Sequence, residues 1–64
     1  MLSAREYEVF LKLAAGATVT EIAEQLSVSV NTVSTYRSRI LEKMNMRANA
    51  DLTRYAEEND LSGT

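Results

Sequence analysis

Residues 18–44 read TVTEIAEQLSVSVNTVSTYRSRILEKM, and the fold follows from how this stretch divides. Thr18 and Glu21 have the spacing of a capping box, in which each side chain satisfies the other residue's backbone amide at a helix start. Ile22, Ala23 and Leu26 then form the inner face of a short helix. Ser27-Val28-Ser29 breaks the period, because the two hydroxyls compete for backbone hydrogen bonds and favour a turn with a new cap. Ser29 is the expected N-cap of the next helix, and Val28 is expected to tuck between the two. Past the turn, Val33, Ile40 and Met44 lie on one helical line flanked by Tyr36 and Arg37. At about 100° per residue, Asn31, Ser34, Thr35, Ser38 and Glu42 fall on the opposite face. A short helix, a three-residue turn and a longer helix make the helix-turn-helix plan.

The flanks supply the helices that such a pair needs for a core. Ser3 and Glu6 form an earlier capping box, with Leu2 placed to staple against Tyr7. Val9, Phe10, Leu13 and Ala14 follow at helical spacing, and Gly16 stops the helix by adopting the left-handed conformation at low cost. Asn45 is a left-handed terminator of the same kind for the third helix. Asn49 is expected to cap a fourth, with Leu52, Tyr55 and Ala56 pointing inward and Ser62-Gly63-Thr64 frayed beyond it. The expectation is an all-α, four-helix domain spanning residues 1–64, with helices at about 4–15, 19–26, 30–45 and 49–59.

Composition narrows the chemistry. A chain of 64 residues buries only ~60% of its unfolded surface, so its stability margin is thin. It has no cysteine and no histidine. That removes disulfides, thiolate sites, the commonest nitrogen ligand and the usual general base, so neither a metal nor a cofactor is expected and an enzyme is disfavoured. The acids Glu6, Glu8, Glu21 and Glu24 have ready roles as caps or surface. No apolar run approaches the ~20 residues of a membrane span, and the plain reading is a cytoplasmic domain with no membrane partner.

Net charge is −2, but it is unevenly spread. Residues 1–29 carry Arg5 and Lys12 against Glu6, Glu8, Glu21 and Glu24, a net −2. Residues 30–48 carry Arg37, Arg39, Lys43 and Arg47 against Glu42, a net +3, and residues 49–64 carry Arg54 against Asp51, Glu57, Glu58 and Asp60, a net −3. The positive charge sits on the third helix and its exit.

Leu2-Ser3-x-Arg5-Glu6-x-Glu8-Val9, Gly16, Glu21-Ile22-Ala23, Leu26, Ser29, Thr32-Val33, Ile40 and Lys43-Met44 together resemble the LuxR/NarL/FixJ-type domain across nearly the whole chain. The Val33-Ser34-Thr35-Tyr36 stretch is most similar to the two-component response regulators. The resemblance implies a C-terminal effector domain that binds double-stranded DNA as a dimer and regulates transcription. It also implies an N-terminal receiver or sensor domain, so the chain reads as a fragment of a longer regulator, with RNA polymerase a possible partner. Ser34 stands where the family commonly has lysine, Tyr36 where it often has histidine, Val19 where an asparagine is common and Asn49 where an arginine is usual.

A helix that reads the major groove needs short polar side chains on one face, so that its backbone can approach the base edges. The resemblance places base contacts at Ser34, Thr35 and Ser38. Their hydroxyls discriminate bases weakly, although the Thr35 methyl can pack on a thymine methyl. A solvated helix face would carry serine and threonine too, but these are mediocre helix formers and an idle face more often carries Glu, Lys or Ala. Arg37, Arg39 and Lys43 flank that face within reach of phosphates, and Arg47, past the helix, has a weaker claim. Arg37 can equally serve a salt bridge to one of the many acids. Thr18, Thr20, Asn31 and Thr32 lie where the first turns of helices two and three offer unpaired amides to phosphate. Asp51, Thr53 and Arg54 resemble the family's dimerisation surface on helix four, where Asp51 of one copy would meet Arg54 of another. The alternative reading is a helical protein–protein interaction module that uses the same third-helix surface for a partner protein.

Overall fold

The computed structural model describes residues 2–59. They form α1 (Ala4–Ala14), α2 (Val19–Leu26), α3 (Val30–Lys43) and α4 (Asn49–Glu58), with no strand among the described residues. The expected helices are all present and end one or two residues early at the C-termini of α1, α3 and α4, which is the usual uncertainty at a fraying end. The expected frayed tail lies outside the described residues.

Both capping boxes form. Ser3 Oγ accepts from the Glu6 amide at 3.2 Å while Glu6 Oε1 accepts from the Ser3 amide at 2.8 Å. Thr18 and Glu21 repeat the exchange at 3.1 and 2.8 Å. Ser29 caps α3 as expected, accepting from the Thr32 amide at 3.1 Å. At the start of α4 the expectation fails. The N-cap is Ala48, not Asn49, and Asp51 Oδ2 accepts from the Arg47 and Ala48 amides at 3.2 and 3.3 Å. Asn49 is the first helical residue, and its side chain is committed to Arg37 instead.

The first three helices end alike. Each is closed by one left-handed residue, Gly16 (φ 98°), Ser27 (φ 57°) or Asn45 (φ 55°). The next residue's amide then reaches five positions back: Ala17 to Lys12 at 3.0 Å, Val28 to Ala23 at 3.0 Å and Met46 to Leu41 at 2.8 Å. This is the Schellman motif, which satisfies orphan carbonyls and turns the chain sharply. Ala17, Val28 and Met46, the residues just past each turn, all pack against the core. The left-handed geometry of Ser27 was not read from the sequence, because serine carries a steric penalty there that glycine and asparagine largely avoid.

The core joins Val9, Phe10 and Leu13 of α1, Ile22 of α2, Val33, Ile40 and Leu41 of α3, and Leu52 and Ala56 of α4. α1 lies against all three other helices, and α2 packs on α3. Leu41 was not among the expected inner residues of α3, while Met44 is only partly buried. Tyr55, expected inward, is 38% exposed and rests edge-on against Phe10 with ring centres 6.1 Å apart. No described helix is long and apolar enough to cross a membrane.

Candidate nucleic-acid interface

Burial of Val33, Ile40 and Leu41 fixes how α3 is rolled on the core, and the same roll leaves Asn31, Ser34, Thr35, Ser38 and Arg39 exposed. The Ser34 and Ser38 hydroxyls make no hydrogen bond to any described residue, so both are available outward. Thr35 differs, because its Oγ1 donates to the Asn31 carbonyl at 3.0 Å. Its proton is therefore spent inside the helix, and what remains is an accepting lone pair and a methyl. The three residues together make a low, hydroxyl-rich face on which no long side chain blocks approach of the backbone.

The helix N-termini are not equivalent. At α2, the Glu21 carboxylate occupies the Thr18 amide, and this hydrogen bond with the Thr18 hydroxyl lowers the Glu21 pKa from its ordinary 4.5. A fixed negative charge thus sits at the positive end of α2. The first turn of α3 contains no acid, and its cap is a neutral pair of hydroxyls, Ser29 and Thr32, 2.9 Å apart. The Val30 and Asn31 amides lie in the open first turn, while Ser29 caps that of Thr32, so α3 presents the stronger attraction for an anion. Thr20 and Asn31 are exposed beside these ends, and Thr32 is half-buried within its cap.

The cations on α3 also differ. Arg39 is exposed, with no ion pair to any described residue. Arg37 is half-buried, and its Nε donates to Asn49 Oδ1 at 2.8 Å, not to an acid. Lys43 Nζ lies 2.8 Å from Glu6 Oε1 across 37 positions of sequence. Glu6, only 3% exposed, was read from the sequence as a cap alone. The Lys43 ammonium, then the Ser3 amide, hold its carboxyl at about 2, well below the ordinary 4.5. Nothing in the local spacing signals that pair, which depends on α1 and α3 packing together.

On α4, Asp51 and Arg54 pair with one another within the chain at 2.9 Å, and Thr53 donates to the Asn49 carbonyl at 3.3 Å. Glu57 and Glu58 are exposed near the end of the helix.

The chain matches the family described as "Bacterial regulatory proteins, luxR family" over residues 1–56. It is 42% identical to the response regulator UvrY of Escherichia coli K12 over 55 residues, covering 86% of this chain and 25% of that protein. It is 41% identical to the oxygen regulatory protein NreC of Staphylococcus carnosus over 56 residues, 88% of this chain and 26% of that one. To the transcriptional regulatory protein TdiR of Thauera aromatica it is 39% identical over 54 residues, 84% and 24% of the two chains. The chain thus spans about a quarter of the length of the curated relatives it matches. The four-helix architecture, the capped helix-turn-helix and a match over nearly the full length agree: this chain belongs to the luxR family of bacterial regulatory proteins.

Proposed function

We propose that the chain is the DNA-binding part of a transcriptional regulator, with α3 seated in the major groove of a duplex. The observation that carries this reading is the outer face of α3, where exposed hydroxyls lie beside an unneutralised arginine and an acid-free helix N-terminus. Ser34 and Ser38 donate to or accept from base edges, and Thr35 offers its methyl to thymine and its lone pair to an amino group. Asn31, Thr32, Arg37 and Arg39 engage phosphates on the walls of the groove, and Thr18 and Thr20 hold the backbone crossed by α2. The N-terminal half of α3 enters deepest, which keeps Glu42 toward the rim.

Two copies bind neighbouring half-sites, meeting through the α4 surface that includes Asp51, Thr53 and Arg54. With Asp51 and Arg54 already balanced inside one chain, that contact depends on shape and apolar area more than on exchanged ion pairs. The length of the relatives supports a receiver or sensor domain as a companion of this one.

Arg39→Glu tests the reading most cleanly, since Arg39 has no ion-pair partner whose loss would disturb the fold. Counterion-release arithmetic gives about 8-fold in affinity for each phosphate contact at ~0.1 M salt, so reversing one charge weakens binding by more than that. The measurement is fluorescence anisotropy on duplexes selected from a random pool, with circular dichroism to check helicity. Unchanged binding by a folded Arg39→Glu domain would overturn the assignment and favour a protein partner for this face.

A further inference from the structure

The two tethered cations of α3 are held by partners of different charge. Arg37 is held by a neutral amide oxygen, so its guanidinium keeps its full charge and its two terminal nitrogens. Lys43 is held by a carboxylate, and that carboxylate is buried: Glu6 is the only buried charged side chain among the described residues. Glu6 Oε1 is shared between the Lys43 ammonium and the Ser3 amide, both at 2.8 Å. If Lys43 swung away to a phosphate, the Glu6 charge would stay in a nearly dry site with only backbone support, which strongly disfavours the move. The lysine side chain is 43% exposed, so exposure alone would make it a DNA contact. Its pairing argues otherwise. Two opposite charges this close cancel at distances well inside the Debye length of ~8–10 Å, and a phosphate beside them gains little.

We propose that Glu6 withholds Lys43 from DNA, so that a buried acid on α1 sets how many phosphates α3 can neutralise and thereby limits affinity for duplex of any sequence. Glu6 is a positioning residue, acting through Lys43 without touching DNA itself. The inference rests on the DNA-binding reading above. On this reading a surface with four cations between residues 37 and 47 acts electrostatically as one with three. It also separates Arg37 from Lys43, two cations that both flank the exposed face of α3.

The experiment is a salt titration of binding to a labelled random-sequence duplex by the native domain, Glu6→Gln and Lys43→Gln. Glutamine preserves the reach back to the Ser3 amide, because a capping box accepts Gln as well as Glu, but it leaves Lys43 charged. Glu6→Gln is expected to bind about 8-fold tighter at ~0.1 M salt, with a slope of log K against log salt steeper by about 0.9 per protomer. Lys43→Gln is expected to keep the native slope, because Lys43 contacts no phosphate, with affinity somewhat below native because the Glu6 charge is unmasked. A Glu6 that served the fold alone would leave both slope and affinity of a folded Glu6→Gln near native. A slope that falls by about 0.9 in Lys43→Gln, or an unchanged slope in a folded Glu6→Gln, overturns the inference. Should Glu6→Gln fail to fold, Lys43→Gln decides alone. A native domain with no salt dependence overturns the DNA reading itself, which distinguishes the two failures.

Discussion

Truncating Ile40 separates the two faces of α3. Its side chain is wholly inaccessible and lies on the inner face, between Val33 and Leu41 in the core and away from Ser38 and Arg39. Ile40→Val removes one methylene group and costs about 0.5–1.5 kcal/mol, whereas Ile40→Ala opens a cavity and costs about 2–5 kcal/mol. With no exposure to relieve the void, about 3 kcal/mol is the working figure for alanine. A domain of this size has a total stability of roughly 3–10 kcal/mol, so that single change removes a large part of it. For a small domain each kcal/mol moves Tm by about 4–8 °C, which places the Ile40→Ala melt roughly 12–24 °C below native. Thermal and urea unfolding followed by circular dichroism measure both variants, with m unchanged if only the core is affected.

The binding side of the same experiment is sharper. Apparent affinity falls only by the folded fraction, and a domain with about 6 kcal/mol of stability that loses half is still about 99% folded at 25 °C. Ile40→Ala should therefore bind duplex within twofold of native at 25 °C, while Arg39→Glu loses binding and melts at the native temperature. An alanine variant that loses less than about 1 kcal/mol would refute the packing argument. A folded alanine variant that binds tenfold more weakly would refute the separation of faces.

The remaining expectations concern turns, caps and acid. Gly16 sits at φ 98° with open space around it, so Gly16→Ala meets no neighbour and its cost, about 1 kcal/mol by urea unfolding, is purely backbone strain. Ser27, left-handed without being glycine, gives the converse: Ser27→Gly is expected to raise stability by about 0.5–1 kcal/mol in the same assay. Ser29→Ala removes the cap of α3 and is expected to cost about 1 kcal/mol, read from the shift in urea midpoint. Glu6 binds its proton less readily in the folded chain than in the unfolded one, so its contribution is complete above pH 4.5 and is lost as pH falls toward about 2. Glu21 adds loss in the same direction. A pH series of melts should show that decline, and Glu6→Gln should flatten most of it.

Much of this architecture is legible locally. Ser3 with Glu6, Thr18 with Glu21, and Gly16 and Asn45 as terminators each act over six residues or fewer, and their chemistry can be read directly from spacing. The inner faces of α1 and α2 follow from period alone, because nothing interrupts it. The remaining features depend on a second helix. Asn49 is a plausible cap until Arg37 claims its oxygen, Tyr55 is inward only if Phe10 leaves room for more than its edge, and Leu41 is buried because of how α3 rolls on its neighbours. The candidate interface shows the same divide. Ser34 and Ser38 are recognisable as an outward face from period, whereas the different standing of Arg37, Arg39 and Lys43 is set by residues 12 to 37 positions away.

The three repeated helix endings bear on how fast the domain can form. Each turn is closed by amides reaching only three to five residues back, so α1, α2 and α3 are delimited without waiting for distant contacts. Such closures cost little chain entropy, and chains dominated by them fold in microseconds to milliseconds. The tether from Glu6 to Lys43 and the seating of α4 on α1 are the late, long-range steps. A nascent chain would thus have its helix-turn-helix outlined once residue 46 is available, and α4 would lock the arrangement in place when it packs on α1.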